Sequence, residues 1–395
     1  MKKIKYLILL IIPLLSGCYN YRELDEIAIT TAISIDYVDN NYHVIAEVIN
    51  PTKQQDASSA NNSPFINYFA TGSSLQEAFR NIVLESPRQL YAPQLEMIII
   101  SEEVASNHLG EVLEFFSREP ESRTEVKFLI ARGEDSTKAI TLQTLLTNLS
   151  SASTIESLII QSDVLGLTTI CTINDLLNMY LDPTLEIKLP GIIIYGDIEE
   201  GDEKENITTS VPKASSKIGS TAIFKDKKFL GYLEDNDSKM LNLITNNLKG
   251  TILNYDYQDS NVVLELYRIN TDIKANIKDN EIDITIKGYS RIKEVNSNVN
   301  IKNKEEIENI NNLLNNNLEK DISKSFNNIR DKYNTDVFNF RQIYYRENPN
   351  YYKENYRDKW YEEVFKDLKL NVKSDIKIYE KGNTLGGIEY ESKNK

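Results

Sequence analysis

The stretch KEEIENINNLLNNNLEKDISKSFNNIRDKY, Lys304 to Tyr333, decides how the second half of the chain folds. Ile307, Ile310, Leu314, Leu318, Ile322, Phe326 and Ile329 recur every three or four residues. That period puts them on one side of an α-helix, roughly 45 Å long at 1.5 Å per residue. A second helix in a coiled coil, or a sheet, would cover such a stripe. Regular charge pairs at the flanking heptad positions are missing, which disfavours the coiled coil. The strands nearby need a cover themselves. Val262 to Ile269, Ile273 to Ile277 and Ile282 to Ile286 alternate as an antiparallel meander. The spacing therefore predicts one long helix lying on a sheet. Tyr356 to Leu368 reads as a last helix and Leu370 to Tyr379 as a last strand.

Upstream, a middle region begins near Thr168. Asn174 or Thr172 caps a predicted helix through Leu176, Leu177 and Tyr180. Pro183 and Pro190 bracket a predicted loop, and Ile192 to Tyr195 is a short strand. Residues 197–205 are acidic and read as solvated. Thr221 to Phe224 and Lys228 to Leu233 form a hairpin around Lys225-Asp226-Lys227, and Ser238 to Leu248 a helix.

In the first region, Ile27, Ile29, Thr31, Ile33 and Ile35 alternate as a strand. Asp39-Asn40-Asn41 supplies a turn, and Tyr42, Val44, Ala46 and Val48 a second strand. Pro51 to Pro64 reads as polar loop. Ser74-Leu75-Gln76-Glu77 reads as a capping box before a helix whose buried face carries Leu75, Ala78, Phe79, Ile82 and Val83. Leu95 to Ile100 and Val126 to Ala131 are strands, and Leu109 to Phe116 a helix. Thr137 to Leu149 reads as helical, and Ser150 to Ser153 as a linker.

The chain starts MKKIKYLILLIIPLLSGC, with Lys2, Lys3 and Lys5 before an apolar run from Tyr6 to Leu15. Such a run is too short to span a hydrocarbon core, which takes about 20 apolar residues. It has the parts of a secretory signal. Leu15-Ser16-Gly17-Cys18 resembles the lipobox of bacterial lipoproteins, which implies a diacylglyceryl group on Cys18 and loss of residues 1–17. Residues 18–26 would then be a leash reaching at most about 25 Å. Formal net charge over the 395 residues is −14, and loss of the three lysines makes it −17. An acidic surface repels nucleic acid and anionic headgroups, so membrane attachment has to come from acyl chains. With Cys18 lipidated, Cys171 has no partner for an intramolecular disulfide.

Catalytic signals are thin. His43 and His108 are the chain's two histidines and neither stands in a zinc-ligand spacing. Cys171 lies among Thr and Ile, as a buried thiol does. No phosphate-binding glycine loop and no Gly-x-Ser-x-Gly elbow occurs. Asp235-Asn236-Asp237-Ser238 lacks the Gly and closing Glu of a calcium loop and reads as a helix cap. Two blocks carry more. Arg22 and Glu23 lie on the leash. Arg88 and Tyr91 lie in the Glu85 to Leu95 block, with Arg123 and Glu119 nearby, where an Arg–carboxylate pair is the ordinary alternative. Tyr344, Tyr345, Tyr351, Tyr352, Tyr356 and Trp360 form an aromatic cluster that reads as packing.

Several of these segments together resemble the C-subunit lipoproteins of bacterial spore-germination receptors (the Ger(x)C, or GerAC-like, family). They are Gly17-Cys18-Tyr19 with Arg22 to Glu26, TGSSLQEAFRN (Thr71 to Asn81), LESPRQLYAPQLEMIIISEEVA (Leu84 to Ala105) and LEFFSREPESRTEVKFLIARG (Leu113 to Gly133). Leu189-Pro190, GSTAIFKDKKFLGYL (Gly219 to Leu233), Asp336 through Trp360 and Val372 to Ile378 continue the match. A Trp usually follows the family's Cys, where this chain has Tyr19; a Gly is usual near Phe340, where it has Phe340-Arg341. The resemblance implies anchoring on the outer face of the inner spore membrane, assembly with integral membrane A and B subunits, and nutrient-triggered germination.

The expectation is an α+β, mixed α/β chain of three domains, with mixed or antiparallel sheets packed by helices after a cleaved signal peptide. The regions are 1–17 (signal), 18–26 (leash), 27–150, 165–250 and 251–395. The expected role is a non-enzymatic docking subunit needing no cofactor beyond the Cys18 lipid, binding no nucleic acid and no small ligand by itself. Cys18 is the lipid site; Arg22, Glu23, Arg88, Tyr91 and Arg123 are the docking candidates. The alternatives are a nutrient-capturing lipoprotein and a cell-envelope hydrolase.

Overall fold

β1 (Ile27–Val38) and β2 (Asn41–Ile49) pair antiparallel through Asp39 and Asn40, both at positive φ as a tight hairpin requires. The computed structural model describes residue 23 and residues 25–50, 63–118, 125–133, 136–142, 150–203, 205–258, 260–295 and 299–380. The expected loop at 51–62 lies outside the described residues. β3 (Phe65–Gly72), which the sequence does not announce, pairs antiparallel with β2. α1 (Leu75–Asn81) follows, its Ser74 Oγ accepting the Glu77 N–H at 3.2 Å. The Glu77 carboxylate reaches back to Ser73 N–H at 2.8 Å, one residue before the reciprocal partner of a capping box.

β4 (Gln89–Tyr91) and β5 (Met97–Ile100) both run parallel to β1. α2 (Leu109–Arg118) returns the chain to β6 (Lys127–Ala131), parallel to β5. α3 (Ser151–Ser162) and α4 (Ile173–Leu181) precede β7 (Lys188–Gly196), parallel to β6. β8 (Ala214–Lys225) and β9 (Lys228–Tyr232) close the set as an antiparallel hairpin on β7. The strand order is β3-β2-β1-β5-β6-β7-β8-β9, with β4 also on β1. The stretch expected as a middle region thus extends the sheet of the first.

α1, α2 and α4 cover one face of this sheet over Ile33, Ile35, Val44, Ile98, Ile100, Phe128 and Ile130. α3 covers the other over Met97, Ile99, Leu129 and Ile192. Residues 150–153 are therefore no linker. Ser150 caps α3, and the buried Glu47 carboxylate of β2 accepts Ser151 N–H at 2.7 Å and Ala152 N–H at 3.3 Å. Ser136–Ile140 is a 3-10 turn, and 143–149 lie outside the described residues. Pro190 belongs to β7, at the register shift between Pro190 and Ile192. A bulge is where a strand tolerates a residue with no N–H.

The second sheet has the order β10-β11-β12-β13. After α5 (Asp235–Ile244) come β10 (Gly250–Tyr257), β11 (Ser260–Asn276) and β12 (Glu281–Val295), an antiparallel meander. The two strands expected at 262–269 and 273–277 are one strand kinked at Arg268, which has φ 50°. α6 (Lys304–Tyr333) is the long helix, burying Ile310, Leu314, Leu318, Ile322, Phe326 and Ile329 on this sheet. α7 (Phe340–Glu347) and α8 (Pro349–Asn355) lead to β13 (Lys369–Glu380), parallel to β12. A parallel neighbour needs a crossover, and α6 to α8 supply it. The helix expected over 356–368 is reduced to a π-type turn, Trp360–Val364. Tyr344, Tyr352 and Trp360 are buried, so the aromatic cluster is core.

A polar seam ties the two sheets. Thr335 Oγ1 donates to Phe224 O at 2.6 Å, and Tyr333 Oη to Tyr232 O at 3.1 Å. Lys188 Nζ donates to Val337 O at 3.1 Å, and Tyr361 Oη to Glu186. Asp336 accepts Phe340 N–H at 3.1 Å and Arg341 N–H at 2.6 Å. Burial raises the Asp336 carboxyl to about 7 and lowers the Lys188 ammonium to about 8.

Candidate docking face

Two docking candidates far apart in sequence, Glu23 and Tyr91, come to one end of the first sheet. Glu23 opens a turn in which Glu26 N–H donates to Glu23 O at 3.1 Å. Glu26 O then accepts Gln89 N–H at 3.0 Å, the first link between the start of β1 and β4. The parallel register pairs Ile27 with Gln89, Ala28 with Leu90 and Ile29 with Tyr91. Tyr91 is half-buried beside Ile29, and Arg88 is half-buried just before β4. The backbone at Arg88 is held by Ser86, whose Oγ donates to Arg88 O at 2.6 Å. Glu23 is exposed. Cys18, Arg22, Glu119 and Arg123 lie outside the described residues. Arg118 pairs with Glu114 at 2.7 Å on α2.

The segment after α1 carries residues that the helical pattern misassigns. Val83 was expected on the buried face of α1. The helix stops at Asn81 and tightens into a 3-10 turn, Ile82–Leu84. Three residues per turn rather than 3.6 rotate the stripe, so Ile82 stays buried while Val83 and Leu84 are 58% and 85% exposed. Beyond Leu84, Glu85 borders a groove of about 490 Å³ lined also by Asp36, His43, Phe69, Thr71 and Lys138.

The remaining titratable groups have structural surroundings. His108 stacks on Tyr37, with ring centres 3.8 Å apart, and lies 3.3 Å from both Tyr42 Oη and Glu111 Oε1. His43 pairs across the hairpin with Asp36. Cys171 is buried, and burial pushes its thiol pKa up, away from the reactive thiolate. Asp235 and Asp237 lie in the first turn of α5. Among the described residues no group of three His, Cys, Asp or Glu is placed to hold a metal ion. Nor is any helix among them long and apolar enough to cross a membrane.

Comparison with known proteins covers both sheets. Residues 20–194 match the family described as spore germination protein N-terminal domain. Residues 219–382 match spore germination B3/GerAC like, C-terminal. The division between them falls between β7 and β8, neighbours in one sheet. Spore germination protein KC of Bacillus subtilis (strain 168) is 26% identical over 98% of this chain and 97% of its own. Spore germination protein B3 of the same organism is 20% identical over 94% and 96%. The crystal structure of the GerBC protein superposes with a TM-score of 0.52 at 16% identity, covering 88% of this chain and 96% of that one. With matching models along both halves, the chain belongs to the GerAC-like, or Ger(x)C, family of spore germination proteins.

Proposed function

We propose that this germinant-receptor C subunit works as a docking body, held to the membrane by lipid on Cys18 and touching integral membrane A and B subunits. The observation that carries the reading is the start of β1: Glu26, directly before it, bonds to Gln89, and β1 pairs at once with β4, the strand that bears Tyr91 next to Arg88. A lipid on Cys18 would hold that end of the sheet within about 25 Å of the bilayer. Tethering raises the effective concentration of the face near any integral partner, so modest contacts suffice. Charge and chemistry agree: the surface is acidic, and the buried Cys171 and the Tyr42–His108–Glu111 contacts are packing.

Photo-crosslinking from Arg22 and Tyr91 in intact spore membranes tests it. The expected products are adducts with integral subunits from both positions. Adducts only with soluble proteins would overturn the reading. Mass spectrometry of the mature N-terminus tests the lipid by itself.

A further inference from the structure

We propose that the groove over β1, β2 and β3 binds a small organic ammonium, a primary amine carrying an apolar group. This goes beyond the docking role and does not rest on it. Ile33 and Ile35 point into the core beneath α1 and α2, so Ser34 and Asp36 point to the opposite face of the sheet. The register lays two rungs across three strands there. Ser34, Ile45 and Phe69 form one, and Asp36, His43 and Thr71 form the next. Ile45 also packs in the core under α3, so the groove is the end of that face which α3 leaves uncovered. Glu85 and Lys138 border it, and its volume of about 490 Å³ is that of a small-molecule site.

Ser34 is the observation that points to a ligand. It is 0% exposed, it lines the groove, and its Oγ has no hydrogen-bond partner. A buried hydroxyl is ordinarily paired, because an unpaired one has lost its bonds to water and gained none. The surrounding chemistry gives the class. Two carboxylates, of Asp36 and Glu85, and one ammonium, of Lys138, line the groove. Asp36 Oδ1 accepts Tyr37 N–H at 2.8 Å, which steadies the carboxylate on its rung. An anionic ligand would meet both carboxylates. A primary ammonium has three donors and no acceptor, which suits carboxylates beside the hydroxyls of Ser34 and Thr71. Phe69 and Val38, 50% and 45% exposed, supply an apolar wall for the rest of the molecule. The Phe69 ring also attracts a cation over its face.

The test is calorimetric titration of the full chain in zwitterionic lipid nanodiscs, with empty discs as the blank. The probes are phenethylammonium, phenethyl alcohol and hydrocinnamate, which share a phenyl group and differ in charge. Phenethylammonium should bind about tenfold more tightly than either of the others. Asp36→Asn and Ser34→Ala should each weaken it several-fold. Ser34→Ala should also melt no lower than the wild type, because it removes an unpaired buried hydroxyl; a hydroxyl with a purely structural role would lower the melt and leave affinity alone. Glu354→Gln, an exposed carboxylate on α8, should leave binding unchanged and so exclude general attraction to an acidic protein. Equal affinity for the three probes, preference for hydrocinnamate, or no heat above the blank at millimolar probe would each overturn the proposal. So would wild-type affinity in Ser34→Ala and in a folded Asp36→Asn.

Discussion

Asn315 of α6 and Ile376 of β13 exchange two hydrogen bonds: Ile376 N–H donates to Asn315 Oδ1 at 2.9 Å, and Asn315 Nδ2 donates to Ile376 O at 3.0 Å. One turn to either side, Asn311 Oδ1 accepts Ile378 N–H at 3.1 Å and Glu319 Oε1 accepts Ser374 N–H at 2.8 Å. Residues 311, 315 and 319 step along one helix stripe, and 374, 376 and 378 step along one strand edge. β13 is the last strand of its sheet, so these are the groups that a further strand would pair with. The long helix therefore covers the sheet with its apolar stripe and occupies its open edge with its amide stripe. An unoccupied edge is a template for association.

Asn315→Leu should therefore be destabilising although it adds apolar surface to a helix. It leaves a buried N–H and a carbonyl at Ile376 unpaired, at a cost of about 2–3 kcal/mol. Urea unfolding measures the loss. Size-exclusion chromatography at rising concentration should show self-association that Asn315→Ala, with room for water, shows less. An unchanged urea midpoint in Asn315→Leu would mean the edge is held by Asn311 and Glu319 alone.

Glu47 offers a second test of a buried polar contact. Thr31 Oγ1 donates to its Oε1 at 2.6 Å, and Ser151 and Ala152 supply N–H groups from the start of α3. Burial raises the carboxyl's pKa, while these donors pull it down. Glu47→Gln keeps one acceptor oxygen and aims an amide N–H₂ at another donor. It should lower stability by about 1–2 kcal/mol, read by thermal unfolding. Hydrogen exchange should rise first in α3.

These two contacts separate what was legible in the sequence from what was not. The period of Ile310 to Ile329 alone gives the long helix, because a one-dimensional stripe encodes a one-dimensional element. Asn311 and Asn315 sit on the same helix and pass for compositional bias, since an Asn acquires meaning only from the strand it meets. The union of the first and middle regions was hidden for a similar reason. β7 pairs with β6 across nearly sixty intervening residues, and its Pro190 punctuates the sequence like a loop. β3 escaped because Ile66 and Phe69 face solvent, which blurs the alternation. Arg88 and Tyr91 were visible as candidates, but their place beside the leash depends on the β1–β4 register. Val83 was misplaced because the helix tightened by a fraction of a turn just before it.

The seam between the sheets predicts a pH dependence whose sign can be worked out. Asp336 holds its proton to about pH 7 when folded, against 3.8 in an unfolded chain. Its contribution is present below about pH 4 and is lost as pH rises through 7, a swing of order 3–4 kcal/mol. Lys188 releases its proton near 8 when folded, against 10.5 unfolded. Its contribution is full above about 10.5 and is lost as pH falls through 8. Stability should therefore pass through a minimum between pH 7 and 8. Glu186, also raised by burial, tilts the acid limb the same way, while Arg341 and the Asp336-facing Tyr361 keep their charge states across it. Asp336→Asn should flatten the acid limb without abolishing it, and Lys188→Met should flatten the basic limb. Urea midpoints at half-unit pH steps give both slopes; a wild-type optimum at pH 7–8 would refute the scheme.

The docking face yields the prediction that best separates folding from assembly. Tyr91 is half-buried on a strand of three residues and Arg88 half-buried just before it, so truncating them removes little core. Tyr91→Ala and Arg88→Glu should each change stability by about 1 kcal/mol or less. A Tyr or Arg at the centre of an interface is worth about 2 kcal/mol or more, a loss of roughly thirtyfold in affinity. The two effects are read separately, by thermal melting of the soluble body and by recovery of integral subunits with the tagged chain from membranes. The proposed tether sharpens the comparison: if lipid alone kept the complex together, recovery would survive both substitutions and fall only with Cys18→Ala. Loss of recovery in Tyr91→Ala with an unshifted melt and an intact anchor would place the recognition on β4 itself, because fold, membrane residence and local concentration would all be unchanged.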